Sequence, residues 1–207
     1  MDNHIAGDLL NMIPQKQLLL SLALGIGLSA SCGFRVFVPL LIASVASKLG
    51  MTHLGDSFQW MSSTPALIAF AAATVLEIAG YYIPFVDHIL DSITTPASVI
   101  AGTLLTASVL TPDISPMLKW GLGIIVGGGS AGIIQTGMAL TRATSTATTG
   151  GLGNPVVATI EHVFSIIGSI LSLFIPLIVA GIVLLIVVLL LIFVTRFFKK
   201  RIPETAN

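Results

Sequence analysis

Three fully charged side chains, Arg35, Glu77 and Glu161, stand within stretches that are otherwise apolar. A charge at the centre of a bilayer costs on the order of 3 kcal/mol on insertion scales, so such groups turn toward a bundle interior or a water-filled path. A guanidinium near two carboxylates can neutralise one of them or hold an anionic group, and a carboxylate left over can bind a cation or exchange a proton. The expectation is that Arg35 pairs with at least one of the two glutamates, either as part of a binding site or as an ion pair that only orients helices. Ser29, Ser31, Ser130, Gln135 and Thr136 lie close in sequence to the glycine-rich parts of the same stretches and would supply hydrogen bonds to a solute or ion.

A second constellation is "FVDHILD", which puts Asp87 and Asp91 four apart on one helical face with His88 beside them. Two carboxylates at that spacing can hold a divalent cation together with a phosphate-bearing lipid. The plainer alternative is a solvated helix start with Asp91 as its cap. Small polar residues also recur at spacings of three and four, as Glu161, Ser165, Gly168, Ser169 and Ser172, and as Asp91, Thr95, Ser98, Gly102 and Thr106. Such stripes let helix backbones approach closely, or they line a watery path. No phosphate-loop motif, zinc-protease motif, cysteine pair or Ser/His/Asp set is present, so an enzyme is the less favoured class.

The elements that must position these residues are membrane helices. Only 9% of the chain is charged, against roughly 25% in a soluble domain, and the mean hydropathy is +1.01. The formal net charge is zero, which gives no reason to expect a nucleic-acid partner. The single Cys32 cannot form an internal disulfide, and the apolar run continues past it to Ala46, unlike a cleaved lipoprotein signal. The fold class expected is all-α and polytopic. Residues 1–16 read as an interfacial segment, 17–112 as a first three-helix unit, 117–198 as a second, and 199–207 as a basic tail.

Six spans are read from the apolar windows: 17–47, 64–83, 94–111, 117–141, 155–173 and 176–198. The first is too long for one straight crossing and contains Gly33, Arg35 and Pro39, so it is expected to be broken, tilted or partly re-entrant. The fifth and sixth divide at Pro176, and Asn154 before Pro155 marks a helix start. With six spans, Lys16, Arg142, Arg196, Lys199, Lys200 and Arg201 share one side against Lys48 and Lys119 on the other. Both termini are then expected in the cytoplasm.

The two halves are weakly alike. "LALGIGLSA" (22–30) lies over "GIIVGGGSA" (123–131), the "TVLE" that ends at Glu77 resembles the "ATIE" that ends at Glu161, and "PASVIAG" (96–102) resembles "PLIVAG" (176–181). Two three-span halves enter the membrane in opposite senses. An inverted repeat is therefore expected, with the first helix of each half broken and a polar site between them, as in secondary transporters. Gly123 with Gly127, and Gly128 with Gly132, are at GxxxG spacing and could seat a second copy in a homodimer.

The blocks "GFRVFVPLL" (33–41), "EIAGYYIPFVDHILDSITTPASVIAG" (77–102) and "TRATSTATTGGLGNPVVATIEH" (141–162) together resemble the DUF4126 family of small bacterial integral membrane proteins. Gly33, Arg35 and Pro39 match its early motif, Glu77, Pro84, Asp87, Asp91, Pro96 and Gly102 its middle block, and Arg142, Asn154, Pro155 and Glu161 its later one. The chain departs from the pattern at Tyr81 and Tyr82, at Thr95, and at His162. The resemblance implies a multi-pass protein of the bacterial inner membrane, and adds Arg142 and Asn154 to the candidate site. The leading expectation is a transporter or channel that moves an ion or small solute, without a cofactor unless a divalent cation. The alternatives are a metal-dependent enzyme acting on lipid head groups, with Arg142 holding phosphate, and a scaffold that transports nothing.

Overall fold

Long runs of leucine, isoleucine, valine and alanine can satisfy their own backbone groups in an apolar medium only by coiling into helices. The computed structural model describes the backbone of residues 2–83, 86–111 and 114–199, and the side chains of 15–192 apart from 84, 85, 88, 112 and 113. Among the described residues all regular structure is helical. The helices are α1 (Asp2–Cys32), α2 (Phe37–Lys48), α3 (Thr64–Gly80), α4 (Val86–Val109), α5 (Pro116–Leu122), α6 (Gly129–Thr149), α7 (Asn154–Phe174) and α8 (Pro176–Lys199). A 3-10 turn (Asp56–Ser62) leads into α3, and a π-helical stretch (Gly123–Gly128) joins α5 to α6 without a break. Three helices are long and apolar enough to cross a membrane, or up to four if the bent pair Asp56–Ser62 and Thr64–Gly80 counts as one span.

The backbone of residues 2–16 is the first half of α1 itself, one helix with the residues that follow. Most side chains of that segment, those of the basic tail, and those of Pro84, His88 and Arg196 lie outside the described residues. α7 opens at Asn154 with Pro155 in its first turn, and Pro176 opens α8.

The long first apolar run turns back on itself. α1 closes where the amides of Phe34 and Arg35 both reach the Ser31 carbonyl, each at 3.1 Å. Gly33 fits the turn because a Cβ there would stand 2.6 Å from the Ala131 carbonyl oxygen. Toward one end of the bundle Gly25 accepts from Thr106, and toward the other Arg35 and Asp91 are linked through Glu161, which pairs with Arg35, and Arg142, which pairs with both Glu161 and Asp91. α1 is therefore antiparallel to α4. α2 returns beside α3, with Phe37 at Glu77 and Lys48 at Thr64. The stretch 17–47 is thus a helical hairpin: of the three forms expected for it, broken, tilted or partly re-entrant, it is broken, because the backbone reverses within four residues at Gly33–Val36. The six-span count and the placing of both termini on one face rested on counting it as a single crossing.

Directions also qualify the reversed halves. Ser29 bonds Ser130 at 2.9 Å, and Gly33 meets Ala131 and Ile134 further along the same pair, so α1 and α6 run parallel. A two-fold axis in the membrane plane would have made them antiparallel. The second glycine segment is not broken either: it stays helical and lies against α4, where its missing side chains admit the other backbone.

Burial follows from this packing. Leu28, Cys32, Val36, Leu40 and Ala43 of the hairpin meet Phe58, Met61, Ala101, Leu105 and Ala107 in one core. Ala23, Ile26 and Ala30 meet Ile134, Val179, Ala180 and Val183 in a second. The outward faces of α7 and α8 stay apolar, with Ile160, Phe164, Ile167, Leu171, Leu185 and Leu189 exposed, as in a helix that meets lipid.

The closest backbone approach gives a test. A Cβ at Gly102 would stand 2.7 Å from the Gly127 carbonyl oxygen and 2.8 Å from Ala131 Cβ, whereas one at Gly129 meets nothing within 4 Å. Gly102→Val is expected to cost about 1–3 kcal/mol through overpacking. Gly129→Ala should be neutral or slightly stabilising through its helix propensity. Thermal unfolding of the detergent-solubilised protein, followed by loss of the monodisperse species, measures both.

Candidate functional site

Four charged side chains from separate segments converge inside the bundle. Arg35 comes from the hairpin turn, Asp91 from the second turn of α4, Arg142 from α6 and Glu161 from the second turn of α7. Arg35, Arg142 and Glu161 are almost wholly buried. Glu161 Oε2 takes Nη2 of Arg35 at 2.6 Å and also Nη1 of Arg142. Arg142 then forks onto Asp91, with Nε to Oδ2 at 3.0 Å and Nη2 to Oδ1 at 2.6 Å. Two cations and two anions thus form one chain, Arg35–Glu161–Arg142–Asp91.

Neighbours fix the orientation of these groups. The Arg35 guanidinium lies 3.6 Å from the centroid of the Tyr81 ring and that of Arg142 lies 4.9 Å from it, so one aromatic serves both cations. The Tyr81 hydroxyl donates to Asp91 at 3.1 Å and therefore accepts from Thr94 at 2.9 Å, while Thr94 accepts from Gln135 at 3.1 Å. Arg35 Nε donates to His162 Nδ1 at 2.7 Å. That leaves the ring neutral, with its proton on Nε2. Arg35 Nη1 and Glu161 Oε1 remain buried without a hydrogen-bond partner.

The other expected residues are placed as follows. Glu77 does not touch Arg35 directly; its carboxylate accepts from the backbone amides of Val36 at 2.8 Å and Phe37 at 3.0 Å. Gln135 reaches the cluster through Thr94 and Tyr81. Asn154 sits further toward the α6–α7 turn, where it donates to Asp87 at 2.9 Å and to Thr146 at 3.0 Å. Ser29 and Ser130 bond to each other, and Ser31 bonds its own helix at Gly27 while its carbonyl accepts from Ser165. Thr136 is apart from all of these, on an outer groove of about 650 Å³ lined by Gly129, Gly132, Ile133, Leu140 and Leu190.

Asp87 accepts from Asn154, whereas Asp91 pairs with Arg142. Among the described residues no group of three or more His, Cys, Asp or Glu side chains could hold a metal ion. The expectation that Asp91 caps a helix is corrected: α4 begins at Val86, so Asp91 lies one turn inside and answers an arginine. Tyr81 and His162 were visible in the sequence only as departures from a family pattern. The signal for His162 was its place next to Glu161; for Tyr81 there was none, because ring stacking is a tertiary event.

On α7 the polar stripe is buried along its length. Asn154, Glu161, His162, Ser165, Ser169 and Ser172 are all inside, with Ser169 on the Ser165 carbonyl at 2.7 Å and Ser172 on that of Gly168 at 2.6 Å. The result is a column of polar groups that extends from the ionic cluster toward the far end of α7.

An all-helical, strongly apolar bundle with an ionic cluster buried toward one end defines the class: a protein with helices suited to a membrane and a charged interior. Its family follows from a direct match. The family model described as Domain of unknown function (DUF4126) covers residues 22–196, and the chain belongs to that family. No curated protein and no solved structure matches it.

The cluster's energetics are testable. Removing Glu161 leaves two buried guanidiniums short of their shared anion, so Glu161→Ala is expected to lose about 3–5 kcal/mol. Gln135→Ala removes one neutral hydrogen bond, worth about 1 kcal/mol. Unfolding curves of the two variants in the same detergent compare them.

Proposed function

We propose that this protein is a small channel or transporter of the bacterial inner membrane, which passes an ion or small solute through the Arg35–Glu161–Arg142–Asp91 cluster. One observation carries this reading: Arg35 Nη1 and Glu161 Oε1 are buried side-chain atoms of one cluster, a donor and an acceptor, and neither has a partner. A cluster that only oriented helices would gain by joining them to something, since a buried unsatisfied polar group costs about 1–3 kcal/mol. A solute, a permeating ion or water in transit can supply what they lack. The buried serines of α7 support a path onward from the cluster.

The membrane arrangement belongs to the same proposal. The hairpin adds one pass to the six expected, and the termini then fall on opposite faces. The basic tail keeps the carboxyl end in the cytoplasm. A homodimer through the Gly129–Leu140 groove is compatible with this arrangement. Reporter fusions at the two ends check the topology: a periplasmic reporter should be active only at the amino terminus, a cytoplasmic one only at the carboxyl terminus.

Flux measurements on proteoliposomes test the function with protons, alkali cations, small anions and small metabolites. Wild-type flux of at least one species is expected above that of protein-free vesicles. Asp91→Asn, which leaves Arg142 its bond to Glu161, should reduce it several-fold. Wild-type flux equal to that of empty vesicles for every species would sink the proposal in favour of a scaffold. Metal-dependent turnover of lipid head groups, lost in Asp87→Asn, would favour the enzyme instead.

A further inference from the structure

At the end of the bundle opposite the ionic cluster, the α2–α3 connection and α5 enclose a small cleft of about 240 Å³. The Gly55 amide donates to the Ser108 carbonyl, near the end of α4, at 2.7 Å and so pins the start of the 3-10 turn to the bundle. Asp56 lines the cleft from that turn and Lys119 from α5, with Phe58 and Trp120, ring centroids 5.7 Å apart, as an apolar wall. Asp56 Oδ1 accepts from the Gln59 side chain at 3.3 Å. The ion pairs among the described residues join Arg35, Arg142, Glu161 and Asp91. One small cleft thus holds a carboxylate and an ammonium that do not pair with each other.

A glycine keeps this space open. Gly55 has φ −55° and ψ 153°, values that any residue adopts, so its backbone does not call for glycine. A Cβ there would stand 3.5 Å from Lys119 Nζ, 3.6 Å from the Ser108 carbonyl oxygen and 3.8 Å from the Phe58 ring. The Lys119 ammonium is therefore turned to the Gly55 wall, and a side chain at Gly55 would take up the room beside it. The volume falls below the roughly 300–1,000 Å³ of sites for drug-sized ligands, which fits a group of few atoms. Both tryptophans of the chain, Trp60 and Trp120, are partly exposed at this end, and tryptophan gathers at the depth of lipid head groups.

We propose that this cleft binds a phosphoethanolamine group, with the phosphate on Lys119 and the primary ammonium on Asp56 beside the Trp120 ring. A group that carries both charges satisfies both side chains at once, whereas a simple anion would bring a like charge near Asp56. The primary ammonium has N–H donors for the carboxylate, which a trimethylammonium lacks, and it gains from the face of an indole. The group is presented either as the head of a phospholipid or as the free compound. The site stands without the permeation reading above, since it lies at the other end of the bundle and uses none of the ionic cluster.

The test follows ³¹P resonances in maltoside solution with the wild-type protein. Saturable, protein-dependent broadening is expected for phosphoethanolamine, and not for phosphocholine or inorganic phosphate at equal concentration and ionic strength. Lys119→Gln should weaken the apparent affinity about tenfold, on the scale of one charge-assisted hydrogen bond. Gly55→Val keeps both charges but fills the space between the walls, and should weaken it as much. A tighter apparent affinity for a short-chain phosphatidylethanolamine than for the free group assigns the site to the lipid, and an equal or weaker one assigns it to the soluble compound. Absence of saturable broadening with both overturns the inference, and so does equal broadening of phosphocholine. These outcomes are read on the wild type and hold whether or not the variants fold. A folded Gly55→Val that binds as the wild type does would overturn it too.

Discussion

The architecture depends on the burial of Arg35. A guanidinium cannot shed its charge at any ordinary pH, so a chain that places one inside an apolar bundle has to bring anions and acceptors to it. Glu161 meets it directly, the Ala158 carbonyl and His162 take two more of its donors, and Tyr81 covers its face. Each partner comes from another part of the chain, so satisfying one side chain sets how the hairpin, the end of α3 and the start of α7 lie together. Arg142 repeats the arrangement from the opposite side and draws in α4 through Asp91. Buried ion pairs contribute little net stability, since desolvation offsets most of the attraction, yet they penalise any arrangement that separates them. Specificity of packing is what such a cluster supplies.

Small residues supply the attraction that the ionic groups do not. Helices in lipid gain nothing from hiding leucine, because the tails are equally apolar, so close backbone contact has to hold them. Gly102 against Gly127, and Gly25 against Thr106, bring α4 into contact with both the π-helical stretch and α1. The glycines that read as a break in the second half therefore act as a contact surface. The wider π turn lets successive glycines stay turned toward α4.

Several parts of this arrangement were legible in the sequence. Arg35 and Glu161 stood out because a charge in an apolar run has few tolerable places, and the start of α7 was legible because asparagine before proline is a local signal. The helical class followed from composition alone. The hairpin was not legible as such: an apolar run of this length fits a tilted crossing or a reversal equally well, and periodicity carries no direction. The turn at Gly33 is decided by the Ala131 carbonyl, about a hundred residues away. The role of Asp91 was hidden for a similar reason, since only the position of Arg142 turns an apparent helix cap into an ion-pair partner. Glu77 was singled out as an acid in an apolar run, and it is buried, but its partners are backbone amides, which any residue type provides.

The order in which these groups leave the ribosome carries a consequence for biogenesis. Arg35 is synthesised 126 residues ahead of Glu161, and the Val36 amide 41 residues ahead of Glu77. When the first hairpin has just been made, its cation has no carboxylate to meet, and Glu77 on α3 is the earliest to arrive. The pairing of Arg35 with Glu161 can close only once the seventh helix has been made, so the packing of the amino-terminal third is completed by one of the last elements of the chain.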